Sequence, residues 1–274
     1  MRDLGNRVAL VTGASRGIGR VIAQTLGAAG MRLALVARSA APLSELAKTL
    51  SEAGRPAFAY PVDVTDRSAL ASLVAQVESD LGSIDVLVNN AGIEVVCPFD
   101  ELPLAEMDQI LATNLVSVMT LTRLCLPGML ARSRGHIVNL ASLAGKAGPP
   151  LTETYAASKA GLIGFTQSLR VSYEGSGVSA SAICPGFVSD AGMFADRARA
   201  EGVRAPRLLG SSTPEAVARA VLRSIRDDVP EILVNPGPAR LTAALGQLFP
   251  RLPAWLVRRL GLREMYRKSA SSKT

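Results

Sequence analysis

The chain has 274 residues, 48% hydrophobic and 19% charged, which suits one large domain or two small ones and is too apolar for a disordered segment. Its net charge of +7 is uneven: eight of the 30 basic residues follow residue 235 against one acid, Glu264, so residues 1–235 are neutral overall and nucleic acid is not the expected partner. One histidine, His136, excludes a histidine-rich metal site, and three scattered cysteines (Cys97, Cys125, Cys184) read as reduced thiols rather than zinc ligands, so no metal is expected.

The first seven residues are polar and lead straight into an apolar run, with no leader-like segment, so a cytoplasmic protein is expected. No apolar run reaches the ~18–20 residues that span a bilayer. Short, β-branched apolar runs occur at 7–12, 32–37, 56–62, 84–89, 135–141 and 178–184. Helical spacing fills 17–29, 41–53, 66–81, 103–132 and 152–174. Strands apolar on both faces, each followed by a helix, predict an α/β chain. Right-handed crossovers make it a Rossmann-like, doubly wound parallel sheet of about seven strands. Asp66 is a candidate helix cap, and Gly30 and Gly82 stand where helices stop. His136 precedes the fifth strand and is given no catalytic role.

The pattern loosens over 187–212, where glycines alternate with Met193, Phe194, Leu208, Leu209 and four arginines (Arg197, Arg199, Arg204, Arg207). A loop of that length inside a domain reads as a lid. Thr213-Pro-Glu then opens a helix, and residues 231–235 form a seventh strand. One catalytic domain is expected over 1–235, with 236–274 a basic amphipathic extension rather than an independent domain.

The first strand ends in Thr12-Gly13-Ala14-Ser15-Arg16-Gly17-Ile18-Gly19. Glycines between a strand and a helix allow close backbone approach to a pyrophosphate, which the helix N-terminus then attracts. The second strand ends Ala37-Arg38 with no acid where a ribose 2′-hydroxyl would be bound. Arg38 and Arg16 can instead clamp a 2′-phosphate, so NADP(H) is expected over NAD(H). Tyr155 and Lys159 are four apart and share a helix face. A nearby ammonium, together with the positive oxidised nicotinamide, favours phenolate and lowers the tyrosine pKa from its usual ~10. Ser142, 13 residues upstream at the end of strand five, would meet them at the carboxyl edge of the sheet.

These motifs, with Asn89-Asn-Ala-Gly92, Asn114 and Pro185-Gly186, occur in one order over roughly residues 5–235 and resemble the short-chain dehydrogenase/reductase family in its compact single-domain branch. The resemblance implies that Tyr155 exchanges a proton with the substrate oxygen and that Ser142 orients that oxygen. Lys159 then lowers the tyrosine pKa and binds the nicotinamide ribose, while Asn114 holds a water. It also implies that Asp63-Val64 contacts adenine, that Asn90, Ala91 and Gly92 approach the cofactor ribose, and that Pro185, Gly186 and Val188 meet the carboxamide. A threonine common after that valine is replaced here by Asp190. Asp190 is expected to turn outward, with Ser189 or backbone taking over.

Two apolar stretches follow residue 238: Leu241, Leu245, Leu248 and Phe249 before Pro250, then Trp255, Leu256, Val257, Leu260 and Leu262 among arginines. Such a stripe lies on a membrane surface through 239–268, packs on a partner subunit, or covers the substrate mouth. The lid arginines either meet an acidic group or face solvent. With 93–99 and 143–154 as further walls, the pocket suits a small lipophilic carbonyl or alcohol, including a steroid, an aromatic ketone, a fatty aldehyde or a 3-oxoacyl thioester. The leading expectation is an NADPH-dependent carbonyl reductase acting as a homodimer or homotetramer. The alternatives are an NADP-dependent alcohol dehydrogenase running oxidatively and a non-catalytic NADP(H)-binding membrane-associated protein.

Overall fold

A computed structural model describes residues 1, 3–206, 209–236, 239–249 and 251–271. Arg207, Leu208, Pro250 and the Leu256 side chain lie outside the described residues. Seven strands form one all-parallel sheet: β1 Val8–Thr12, β2 Arg32–Ala37, β3 Ala57–Pro61, β4 Ile84–Asn89, β5 Gly135–Leu140, β6 Val178–Pro185 and β7 Glu231–Val234. Their order is β3-β2-β1-β4-β5-β6-β7, so the crossover direction reverses between β1 and β4. Ligands bind at the carboxyl edge beside such a reversal.

Helices cover both faces. On one, α1 (Gly17–Ala28), α2 (Ala40–Glu52) and α9 (Pro214–Asp227) bury Ile22, Leu26, Leu43, Leu46, Val217 and Val221 against Val11, Leu35 and Ile183 of the sheet. On the other, α3 (Arg67–Leu81), α5 (Ser117–Ala131) and α7 (Glu153–Ser172) cover Leu10, Leu87 and Ile137, and α4 (Leu104–Leu111) packs against α7. The ends are set chemically. Asp66 Oδ1 accepts from Ser68 N and Ala69 N at 2.9 and 3.1 Å, and Thr213 Oγ1 accepts from Ala216 N at 3.2 Å ahead of Pro214.

The spacing over 103–132 predicted one helix; the chain there carries a π turn, Ala112–Val116, between α4 and α5. The combined helix Leu104–Ala131 is long and apolar enough to cross a bilayer, contrary to the expectation that no such run exists. Half of its apolar stretch is buried, including Leu121, Cys125 and Met129 against the sheet, so it serves as a core helix. His136 lies within β5, buried, its Nε2 2.9 Å from Ser181 Oγ, and burial pushes its pKa down to about 4.

Segment 187–212 is not all loop. Gly192 and Gly202, both at positive φ, bracket α8 (Met193–Glu201). After β7 come α10 (Ala239–Leu248), α11 (Arg251–Arg259) and α12 (Leu262–Ser271). Leu262 and Tyr266 of α12 are buried with Val96, and Phe187, Leu209 and Val257 pack around them. The extension therefore lies against the lid and the strand-edge loops. Leu241, Leu248, Phe249 and Trp255 stay exposed.

Candidate active site

A single cavity of about 800 Å³ runs along the carboxyl edge of the sheet. One end is the turn after β1. Gly13 and Gly17 take positive φ there. A Cβ on Gly19 would lie 2.2 Å from the Gly13 carbonyl, so only glycine lets the helix start close against the turn. Among the described residues no side chain caps α1, and no acid stands in its first turn, so its N-terminal N–H groups are left for an anion. Thr12 ties the turn to the next strand: its Oγ1 accepts from Asn90 N and Ala91 N at 3.0 and 3.1 Å. Asn90 Nδ2 returns a bond to Thr12 O at 2.9 Å.

Every residue expected to meet the cofactor lines this cavity: Gly13, Ser15, Arg16, Gly17, Ile18, Gly19, Arg38, Asp63, Val64, Asn90, Ala91, Gly92, Tyr155, Lys159, Pro185, Gly186 and Val188. Asp63 Oδ1 is held by Thr65 N and Thr65 Oγ1 at 2.9 and 2.8 Å, which fixes the carboxylate at the rim. Arg38 has no ion pair among the described residues. Arg16 does: its Nη1 is 3.1 Å from Asp196 of the lid helix, in a largely exposed contact worth about 0–1 kcal/mol. Asp190 is exposed at positive φ and faces a separate surface pocket, with Ser189 beside it. Ser189 Oγ donates to Asp190 and Ser212 O, so Ser189 does not replace the missing threonine; the cavity wall there is Val188 and Ala191.

The middle of the cavity holds Ser142, Tyr155 and Lys159. Ser142 follows β5, where its Oγ accepts from Ala144 N at 3.1 Å. Tyr155 and Lys159 share the inner face of α7, both buried. Lys159 Nζ donates to the Leu140 carbonyl at 2.7 Å and stands 5.7 Å from the centre of the Tyr155 ring. Burial pushes its pKa down to about 8, opposed by Cys184 and Glu94. The chain's own groups do not lower the Tyr155 pKa. Burial and then the Glu94 carboxylate push it up, outweighing a hydrogen bond from Ser142 and the charge of Arg197. A phenol held protonated is suited to donate a proton, and the Lys159 ammonium together with a bound oxidised nicotinamide would supply the positive charge that favours phenolate.

Asn114 lies in the π turn, fully buried, just behind the cavity wall. Oδ1 accepts from Ile93 N at 2.8 Å, and Nδ2 donates to Ile93 O and Ser158 Oγ at 2.9 and 3.1 Å. Both amide hydrogens are engaged by protein, so the side chain braces the Gly92–Ile93 backbone.

The other end of the cavity is lined by Phe187, Met193, Phe194, Leu209, Val257 and Leu262. The joint role of three residues there escaped the sequence reading. Arg197 Nη1 is 3.0 Å from Glu94 Oε2, with the side chains only 9% and 11% exposed, so this lid arginine neither faces solvent nor waits for a ligand. Tyr266 of α12 lies over the guanidinium, 5.2 Å from ring centre to Cζ. The only sequence signals were Glu94 directly after Asn-Ala-Gly-Ile and the arginine density of the lid.

The glycine turn, the strand reversal and the Ser142–Tyr155–Lys159 cluster narrow the family, and comparison with known proteins decides it. The short chain dehydrogenase family model matches residues 7–202. The chain is a short-chain dehydrogenase. It is 42% identical to "Ketoacyl reductase HetN" of Nostoc sp. over all of this chain and 96% of that one. It is 38% identical to an acetoacetyl-CoA reductase of Rhizobium meliloti over 81% of this chain and 92% of the relative. A solved metagenomic short-chain oxidoreductase in complex with NADP is 34% identical, with a TM-score of 0.72 over 85% of this chain and 98% of the other. As a family member the chain is an oxidoreductase of CH–OH and C=O groups that uses a nicotinamide dinucleotide, and the residues present fit that group: the uncapped start of α1 would take a pyrophosphate, and Asp63 and Arg38 would take the adenosine part. When bound, that cofactor supplies or accepts the hydride.

Proposed function

We propose that this short-chain dehydrogenase is an NADPH-dependent reductase of a lipophilic 3-oxoacyl group. The observation that carries the reading is the continuity of one cavity from Arg38, past Ser142, Tyr155 and Lys159, into an apolar end chamber. Support for NADP(H) over NAD(H) comes from Arg38 at the end of β2 where an acid would select NAD. Arg16 is the second cation, once drawn from Asp196. Among the lipophilic carbonyls that fit the chamber, the ketoacyl and acetoacetyl-CoA reductases among its relatives favour the 3-oxoacyl class.

In this reading Ser142 hydrogen-bonds the ketone oxygen and Tyr155 donates its phenolic proton to that oxygen as the carbonyl becomes an alcohol. Lys159, cationic below about pH 8, stabilises the phenolate left behind and is held in reach by the Leu140 carbonyl. Asn114 keeps the Gly92–Ile93 wall in place beside them. The test is NADPH consumption against neutral 3-oxoacyl esters and thioesters, with unrelated ketones as controls; no oxidation across the panel while NADPH still binds overturns the reading.

The tail has a second role in this reading, as a peripheral membrane contact. It rests on exposed Leu241, Leu248, Phe249 and Trp255 beside exposed Arg251, Arg258 and Arg259. Gly246 and Val257 of the same helices border the cavity, so a membrane-bound tail would set the mouth near the lipid from which an apolar substrate comes.

A further inference from the structure

Three distant segments meet at the chamber wall within electrostatic reach of Tyr155. Glu94 comes from the loop after β4, Arg197 from the lid helix α8 and Tyr266 from α12. The ion pair is about nine-tenths buried, and the guanidinium is enclosed by aromatic rings: Phe194 at 5.8 Å and Tyr266 at 5.2 Å. Among the described residues Arg197 Nε has no hydrogen-bond partner, although buried. The cation is therefore neutralised by one carboxylate and incompletely satisfied, a state that a protein interior tolerates poorly.

A chamber that contains an arginine would ordinarily invite a carboxylate. Here that place is already taken by Glu94. An incoming acid would have to displace Glu94 and leave it buried beside a second anion, which costs more than the new bond returns. Neutral acyl groups meet no such conflict, since the rest of the wall is apolar.

We propose that Glu94, held on Arg197 beneath Tyr266, is the specificity-determining residue of the chamber: it makes the site accept uncharged acyl groups and reject free carboxylates. The proposal rests on the cavity end being where the substrate acyl group lies, as in the reductase reading. It goes further by saying which acyl groups are refused and which residue refuses them. Glu94→Gln keeps the shape and a hydrogen-bond acceptor while freeing the cation. Arg197 would then recruit a carboxylate, turning an exclusion device into a receptor. Tyr266 keeps the guanidinium in place, so the C-terminal helix is part of the specificity apparatus.

The deciding experiment is calorimetric titration of the NADPH-bound protein with decanoate and with methyl decanoate. Wild type should bind the ester and bind decanoate weakly. Glu94→Gln should bind decanoate about ten-fold or more tighter than wild type, with ester binding changed less than about three-fold. The Glu94→Gln/Arg197→Met double variant should lose the gain. Equal decanoate affinity in wild type and Glu94→Gln, or a gain that survives loss of Arg197, overturns the proposal. If Glu94→Gln unfolds too readily for calorimetry, thermal melting carries the test: decanoate should raise its midpoint more than that of wild type, and equal shifts contradict it. Because binding is the readout, failure here is distinct from failure of the reductase reading, which appears as wild-type protein that oxidises no NADPH with any 3-oxoacyl ester.

Discussion

The side-chain amide of Asn114 makes a two-point bridge to the backbone of Ile93, accepting from its N–H at 2.8 Å and donating to its carbonyl at 2.9 Å. The π turn at Ala112–Val116 brings the side chain to that position from inside a helix. The bridge holds the strand-edge loop that carries Gly92 and Glu94 on the cavity wall. Asn114→Ala leaves both Ile93 groups and Ser158 without this partner. It should destabilise the fold by about 2–4 kcal/mol and lower turnover as well. Urea unfolding measures the first; a midpoint within error of wild type would show the bridge to be dispensable.

The pH dependence of reduction should follow Lys159 rather than Tyr155. Tyr155 is held protonated by burial and by Glu94, so it remains a proton donor throughout the accessible range. Lys159, lowered to about 8, loses its charge as pH rises through that value. Turnover should be flat below pH 7 and fall above about 8; a rate still flat at pH 9.5 would remove Lys159 from the mechanism. The stability linkage has the opposite direction. Between about 8 and 10.5 the unfolded chain binds the proton that the folded chain has lost, so stability should rise across that window, by on the order of 3 kcal/mol. Lys159→Met should flatten the rise, as followed by chemical unfolding.

Much of this site is local in the chain and was legible for that reason. Gly13, Gly17 and Gly19 lie within one turn, and Tyr155 and Lys159 are one helical turn apart, so spacing alone put each group on one face. The alternation of apolar runs and helical segments likewise predicted the strands and the doubly wound sheet. What stayed hidden was long-range or made by backbone. Arg197 and Glu94 are 103 positions apart, and Tyr266 lies on a helix whose spacing said only that one side was apolar. The acceptor for Lys159 is a carbonyl, Leu140 O, which leaves no trace in residue type. The π turn inserts no unusual residue, so 103–132 reads as one helix.

Cofactor selectivity should depend on Arg38. Arg38→Asp puts an acid where NAD-selective folds carry one and removes a cation from the 2′-phosphate end. The ratio of kcat/KM with NADPH to that with NADH should drop by about 10- to 100-fold, the value of one charge-assisted contact. Steady-state kinetics with both cofactors test it, and an unchanged ratio would assign the phosphate elsewhere.

Membrane contact through the tail should depend on both charge and apolar surface. Vesicles containing phosphatidylserine should pellet the protein at low salt, and neutral vesicles should not. Replacing Phe249 and Trp255 by serine should weaken the capture several-fold and leave NADPH binding unchanged. Absence of capture by anionic vesicles at low ionic strength would leave the exposed apolar face to another partner.

The central claim, that Tyr155 gives the proton in an NADPH-driven reduction of a 3-oxoacyl group, is tested most directly by NADPH oxidation with a neutral 3-oxoacyl ester in wild type and in Tyr155→Phe. The expected result is turnover in wild type, a loss of about 10²- to 10⁴-fold in the variant, and an NADPH dissociation constant that differs less than about two-fold between them. Turnover by Tyr155→Phe at the wild-type rate would contradict it.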